Sequence, residues 1–206
     1  MNHQRIVQII SNLFHPLLSL TWATVFLMLF SPLKVLPVYY RLVFVGEVAV
    51  MSFVMPCLLI ILMAKTGIVK NGVALRDRSD RILPLSAYMM FCFIQVNVLS
   101  RQGMPDWALF LYWGGAVMSV CFVVITVWWK ISGHAAGNTC LATGALILYY
   151  LFPQVVPLFV PLLLIIITGG VSSIRLYLGR HTPAQIAAGT ALGLACMVGA
   201  FLVLGQ

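Results

Sequence analysis

Two short polar segments of this chain lie between long apolar runs and carry side chains suited to phosphate chemistry. The first, residues 130–134, reads Lys-Ile-Ser-Gly-His, and the second, residues 172–181, contains two serines, two arginines and a histidine. Ionisable side chains at the ends of membrane-spanning segments are costly to place and usually functional. We therefore expect the two segments to meet in space and to form one anion-handling site.

The residue types in and near these segments favour phosphoryl transfer. Arginine matches phosphate oxygens with a planar fork, and the imidazoles of His134 and His181 can attack phosphorus or move protons near neutral pH. Ser132 and Gly133 precede a predicted helix whose free backbone N–H groups suit an anion. The candidate phosphate-binding cations are Arg76, Arg78, Arg81, Lys130 and Arg175. Because only two histidines and no carboxylate cluster are available, we expect no metal and no other cofactor.

The composition indicates which elements must position these residues. Of the 206 residues, 62% are hydrophobic and only 8% are charged, against about a quarter charged in a soluble domain. We predict an all-α integral membrane protein, a single domain over residues 1–206 with a bundle of six to seven transmembrane helices. The predicted spans are residues 11–30, 42–64, 85–99, 107–129, 135–152, 158–171 and 183–204, with Pro84 opening the third.

The order of these spans predicts that the polar elements share one membrane face. A basic loop, residues 65–83, is followed by two spans, the first polar segment, two more spans and the second polar segment. Each pair of spans returns the chain to the same side. The net charge of +8 is dispersed among the spans, so we expect a lipid bilayer and an anionic lipid as partners and no nucleic acid. The five cysteines form no Cys-x-x-Cys pair and are expected to be apolar core residues.

Three stretches resemble the signatures of the type 2 phosphatidic acid phosphatase superfamily. Ser132-Gly133-His134 is similar to the Pro-Ser-Gly-His signature, with Ile131 in place of the proline. Arg175 and His181 are similar to the Ser-Arg-(five residues)-His-(three residues)-Asp signature. The loop from Arg76 to Pro84 is a looser match to the Lys-(six residues)-Arg-Pro signature. The resemblance covers residues 65 to 190.

The resemblance implies a metal-independent membrane phosphatase that acts on a lipid phosphate or pyrophosphate at the outer face of a bacterial cytoplasmic membrane. It implies that His181 attacks phosphorus, that His134 protonates the leaving oxygen and that Arg175 holds phosphate oxygens. Gln185 stands where the family has an aspartate that orients the nucleophile. A neutral amide can accept the same hydrogen bond, although it stabilises an imidazolium less than a carboxylate does.

Several alternatives stay open at the level of the sequence. Glu47 or Asp80 could orient His181 instead of Gln185, and Glu47 could equally be a structural hydrogen-bonding residue within its span. The chain could bind or transport a lipid or anion without turnover. It could also transfer the phosphoryl group to a second lipid. The sequence predicts neither the lipid chain of the substrate nor the oligomeric state.

Overall fold

The computed structural model describes residues 3–69 and 79–205, which form helices and short connections with no β-strand among them. The helices are α1 His3–Leu13, α2 Ser19–Phe30, α3 Val38–Ala49, α4 Met55–Lys65, α5 Ser79–Arg101, α6 Asp106–Trp128, α7 Gly133–Leu151, α8 Phe159–Tyr177 and α9 Pro183–Leu204. Short 3₁₀ turns at Pro16–Leu18 and Pro32–Val35 flank α2. The prediction of an all-helical chain is confirmed.

Five helical runs are long and apolar enough to cross a membrane: Val38–Lys65, Asp80–Arg101, Asp106–Trp128, Phe159–Tyr177 and Pro183–Leu204. The first of these joins α3 to α4 through a π-helical turn at Val50–Val54. Pro56 follows that turn closely and has no N–H to donate. A wider turn before a proline relieves its clash with the preceding helical turn, so the run continues without a break.

Helix α7 occupies the interior of the bundle and packs against α2, α6, α8 and α9. Most of its side chains are buried, including the polar residues Asn138, Thr139 and Thr143. Two glycines of α9 explain its close approach to α7. A Cβ atom at Gly189 would lie 2.6 Å from the Ser132 carbonyl oxygen, and one at Gly193 would collide with the Ala136 carbonyl oxygen. Glycine at these two positions therefore brings the N-terminal ends of α7 and α9 together.

The predicted first span, residues 11–30, is wrong as a single helix. Helix α1 ends at Leu13, and His15 adopts an extended conformation (φ −65°, ψ 140°) before Pro16 opens a 3₁₀ turn. A residue before proline is disfavoured in the helical region because the proline ring crowds its backbone. The chain therefore bends at His15, and only Pro16–Phe30 remains as a shorter apolar helical stretch.

Two other predicted boundaries also need correction. Helix α5 begins at Ser79, so Pro84 lies inside it and does not open it. Helix α8 continues past residue 171 to Tyr177, so Ser172, Ser173 and Arg175 lie on its last turns instead of in a loop. The Ser173 hydroxyl donates to the Gly169 carbonyl at 2.9 Å. Serine can thus be accommodated within a helix, and the prediction was wrong because it treated these serines as the end of the helix.

Candidate active site

Five of the residues singled out in the sequence line one cavity of about 250 Å³: Arg81, Gly133, His134, Arg175 and His181. Arg81 comes from the first turn of α5, His134 from the first turn of α7 and Arg175 from the last turn of α8. His181 lies in the connection between α8 and α9 and is 9% exposed. Two cations and two imidazoles from separate polar segments therefore face a common space. No carboxylate lines it within the part of the chain that the structure describes.

The ring of His181 is oriented by Gln185. The Gln185 Oε1 atom accepts the backbone N–H of Thr182 at 3.2 Å and lies 3.1 Å from His181 Nδ1. An amide oxygen only accepts, so the hydrogen on the His181 ring must be on Nδ1. The lone pair of the neutral ring is then on Nε2. This is the tautomer that a nucleophilic histidine requires when its other nitrogen is held by an acceptor.

The position of Gln185 follows from local helix chemistry. Thr182 caps α9, and Gln185 is its third residue, completing a capping box in which each side chain bonds the other's backbone N–H. The Gln185 backbone carbonyl also accepts the N–H of Ser132 at 3.1 Å. The start of α9 is thereby tied to the start of α7, and the two imidazoles are held near each other.

The environment of His181 disfavours its protonation. Burial lowers the pKa of His181 to about 4, the hydrogen bond with Gln185 opposes this shift, and the positive charges of Arg175, Lys130 and Arg81 add to it. The pKa of His15 is lowered to about 4 by burial and by the charge of Arg175. Near neutral pH both rings are therefore uncharged, and His181 keeps its lone pair available.

The Arg175 guanidinium has hydrogen-bonding capacity that the described protein does not use. Its Nε–H is buried and has no hydrogen-bond partner among the described residues. Its Nη1 group makes one long bond, 3.4 Å, to the hydroxyl of Ser11. A buried guanidinium donor left without an acceptor is unfavourable, so this side chain suits an anion in the cavity.

His134 contacts helix α1. Its Nε2 atom lies 3.2 Å from the Ser11 carbonyl oxygen and 3.4 Å from the Ser11 hydroxyl. Because a carbonyl only accepts, His134 carries a hydrogen on Nε2. Ser11 is 2% exposed, and it contacts both His134 and Arg175. The sequence reading missed Ser11, which lies in an otherwise ordinary amphipathic stretch.

Gly133 lines the cavity, whereas its neighbour Ser132 does not. Ser132 is fully buried behind the cavity wall, where its hydroxyl caps α7 by accepting the Ala135 N–H at 3.3 Å. The cap leaves the N–H groups of Gly133 and His134 without acceptors inside the helix, as in any first helical turn. The helix start is therefore present, with the serine hydroxyl serving to form it, and anion binding there stays a prediction.

The remaining predicted cations are distributed as follows. Lys130 is half-buried between α6 and α7 and does not line the cavity, although its charge acts on His181. Arg76 and Arg78 lie outside the described residues. Arg81 is therefore the residue of the basic loop that the structure places at the cavity.

Glu47 is not the residue that orients His181. Its carboxylate accepts hydrogen bonds from Gln95 at 3.2 Å and from Gln102 at 2.7 Å. Gln95 lies 14 residues along α5 from Arg81, which is about 21 Å at 1.5 Å per residue. Glu47 thus has a structural role at the other end of α5. Asp80 lies next to Arg81 on the first turn of α5.

His15 also lines the cavity, and the sequence reading did not include it in the site. Its ring packs edge-on against His134 with centroids 5.3 Å apart. The available signal was the pair His15-Pro16 inside an apolar run, where a helix break turns a polar side chain inward. Its importance depends on tertiary contacts that sequence spacing does not contain.

The lowered pKa values predict that acid destabilises the fold. With folded pKa values of about 4 against an ordinary 6.5, the unfolded chain binds more protons than the folded chain between these pH values. Stability then rises with pH across that window. We expect the thermal midpoint in detergent to fall as pH decreases from 6.5 to 4, and the fall to be smaller in His181→Asn. A midpoint that rises on acidification would contradict the assignment of neutral rings.

The described residues contain no group of three or more His, Cys, Asp or Glu side chains arranged to hold a metal ion. What the site offers is a set of donors, from arginines and helix N–H groups, beside a histidine whose Nδ1 is held by an acceptor. Searches with this chain against protein families, curated proteins and solved structures found no match.

Proposed function

We propose that this protein is a membrane phosphatase that hydrolyses a lipid phosphate or pyrophosphate through a phosphohistidine. The observation that carries the proposal is the meeting of Arg81, His134, Arg175 and His181 at one cavity, with the His181 Nδ1–H bonded to Gln185. A nucleophile fixed by an acceptor and surrounded by arginine and helix N–H donors is suited to phosphoryl transfer through a phosphohistidine.

The apolar part of the cavity supports a lipid substrate. Ile60, Leu85, Met118 and Phe122 line it together with the polar residues, and they come from α4, α5 and α6. All three helices also expose large hydrophobic side chains on the outside of the bundle. A phosphate held by the arginines would thus have its hydrocarbon portion among apolar side chains, where burial is favourable.

The reaction would proceed in two in-line transfers. In the first, His181 Nε2 attacks phosphorus, the bond to the leaving oxygen breaks, and that oxygen takes a proton from the imidazolium form of His134. In this form His134 keeps its Nε2–H on Ser11 and carries the transferable proton on Nδ1. In the second, His134 accepts a proton from water, the water oxygen attacks phosphorus, and the N–P electron pair returns to His181. Arg81, Arg175 and the Gly133 N–H would stabilise the charged phosphoryl oxygens throughout.

The proposal includes a placement in the membrane. We place seven spans, adding α7 and Pro16–Phe30 to the five long apolar runs. The polar side chains of α7 are buried among its neighbours, so they need not face lipid. From the family resemblance we further propose that the cavity opens at the outer face of a bacterial cytoplasmic membrane and that the reaction needs no metal.

Phosphate release from a panel of lipid phosphates by the detergent-purified protein tests the proposal. Release of inorganic phosphate from one lipid class, unaffected by a chelator, is the expected result. No release from any lipid phosphate or pyrophosphate would contradict it.

Substitutions at Gln185 test the orienting role. Gln185→Leu removes the acceptor for His181 Nδ1–H and Thr182 N–H, so we expect turnover to fall by about tenfold or more and the fold to lose about 1 kcal/mol of stability. Gln185→Glu and Gln185→Asp supply a carboxylate and should retain or raise turnover. Wild-type turnover in Gln185→Leu would show that another residue orients the ring, with Asp80 the next candidate.

A second function, anion or lipid binding without turnover, is favoured by two observations. His134 Nε2 is held by Ser11, and the orienting residue is an uncharged amide. Binding of a lipid phosphate without release of phosphate would support this function. Formation of a new phospholipid when an acceptor alcohol is added would instead indicate a phosphotransferase.

A further inference from the structure

We propose that His15 is an additional phosphate-binding residue, which donates a hydrogen bond from Nε2 to a phosphoryl oxygen of the bound substrate. This inference rests on the proposed function, because it concerns the same cavity. His15 lines the cavity with His134, Arg175 and His181, and it lies outside both polar segments and the basic loop that the sequence singled out.

The tautomer of His15 is set by the backbone. The Leu17 N–H donates to His15 Nδ1 at 3.3 Å, so this nitrogen must be the acceptor. A neutral His15 ring then carries its hydrogen on Nε2. That Nε2–H makes no hydrogen bond to the described residues. The Nε2–H is thus a donor whose position is fixed by the Leu17 N–H and which has no acceptor among the described residues. Such a donor at this cavity is suited to a phosphate oxygen.

The segment that carries His15 is held firmly against α7. The Asn138 side chain donates to the Phe14 carbonyl at 3.2 Å. Pro16 lies against Gly137, where a Cβ atom would be 3.3 Å from the proline Cα. The His15 carbonyl accepts the Leu18 N–H at 2.8 Å. The ring is therefore positioned before any ligand binds, which limits the entropy lost when a hydrogen bond to substrate forms.

The charges around the His15 ring explain why it would bind phosphate but would not transfer a proton to it. Arg175 faces it, His134 packs against it, and the Leu17 N–H occupies Nδ1, so every neighbour disfavours an imidazolium. A neutral imidazole cannot give up its only N–H proton without becoming an imidazolate. It can still polarise an anionic oxygen through a hydrogen bond, as neutral histidines at other active sites do. Proton transfer to the leaving oxygen stays with His134.

Two substitutions separate the proposed phosphate-binding role of His15 Nε2 from the capping of the Leu17 N–H by Nδ1. Asparagine at position 15 keeps an acceptor near the Nδ1 position for the Leu17 N–H but has no group at the Nε2 position. Glutamine places an amide donor near the Nε2 position and loses the cap. We expect His15→Asn to keep the wild-type thermal midpoint and lose about 100-fold in kcat/KM. We expect His15→Gln to have a lower midpoint and to remain within about tenfold of wild-type kcat/KM.

A binding measurement makes the test independent of turnover. Inorganic phosphate should raise the thermal midpoint of the detergent-purified wild-type protein, and most of this rise should be lost in His15→Asn. If the wild-type protein shows this phosphate-induced rise and His15→Asn loses it, but the wild type releases no phosphate from any lipid, the role of His15 as an anion ligand is upheld and the proposed hydrolysis is rejected. Wild-type kcat/KM or an undiminished phosphate shift in His15→Asn would overturn the role of His15, whatever the activity of the wild type. Activity losses in both variants that merely follow their loss of stability would overturn it as well.

Discussion

Replacing His181 with alanine is expected to abolish phosphate release, lowering kcat/KM by at least about 10⁴-fold. In the proposed mechanism the ring supplies the Nε2 lone pair that attacks phosphorus, and its Nδ1–H is held 3.1 Å from Gln185 Oε1. No other imidazole at the cavity has the same geometry, since His134 is bonded to Ser11 and His15 accepts the Leu17 N–H. The measurement is steady-state phosphate release from the preferred lipid substrate.

His181→Asn is the matched control for this prediction. The asparagine side chain can still donate to Gln185 Oε1, so the connection between α8 and α9 should keep its structure, but it has no nucleophilic nitrogen. Both variants should be inactive, and His181→Asn should unfold at nearly the wild-type temperature. Full activity in His181→Ala would show that the phosphohistidine mechanism is wrong for this protein and that the family resemblance is misleading.

The second large effect is expected at Arg175, where lysine should lower kcat/KM by about 100- to 1,000-fold although the charge is kept. The buried Nε–H of Arg175 and its Nη groups can bind two phosphate oxygens at once, whereas an ammonium acts as a single point of charge. Turnover and inorganic-phosphate binding should both be measured, because the guanidinium is proposed to act in both.

Arg101→Lys provides the control for the Arg175 substitution. Arg101 is exposed at the last turn of α5, at the opposite end of that helix from Arg81. The same chemical change there should leave turnover and phosphate binding unaltered. Near-wild-type kcat/KM in Arg175→Lys would contradict the bidentate phosphate-binding role and show that Arg175 is structural.

The helices that the sequence predicted best are those bounded by strong local signals. The expected spans 107–129 and 183–204 correspond to α6 and α9 within one residue at each end. Pro105 precedes α6, and Thr182-Pro183 begins α9 with a side-chain cap and a proline at the first position. Such signals depend on neighbouring residues alone, so a sequence contains them in full.

The elements that were predicted poorly depend on competition between local and tertiary effects. The break at His15 is stabilised by contacts of Phe14 and Pro16 with α7, which no local pattern contains. Similarly, Pro84 was read as a helix start, yet α5 begins five residues earlier because a proline in the first turns of a helix lacks few hydrogen bonds.

The candidate site likewise has features that the sequence predicted and features that depend on tertiary packing. The spacing of the polar segments predicted that Arg81, His134, Arg175 and His181 would meet, since pairs of spans return the chain to one side. The sequence could not show that Ser132 points away from the cavity to cap α7, or that Glu47 is bonded to Gln95 and Gln102. These roles follow from side-chain directions fixed by packing.

Trapping the covalent intermediate tests the central claim most directly. The purified protein is mixed with its preferred lipid substrate labelled at phosphorus and denatured in alkali within one turnover, because a phosphohistidine survives alkali and is lost in acid. The claim predicts a labelled phosphoryl group on the peptide that contains His181, absent from His181→Asn. Phosphate release by the wild type with no label on that peptide, or with equal label in His181→Asn, would contradict it.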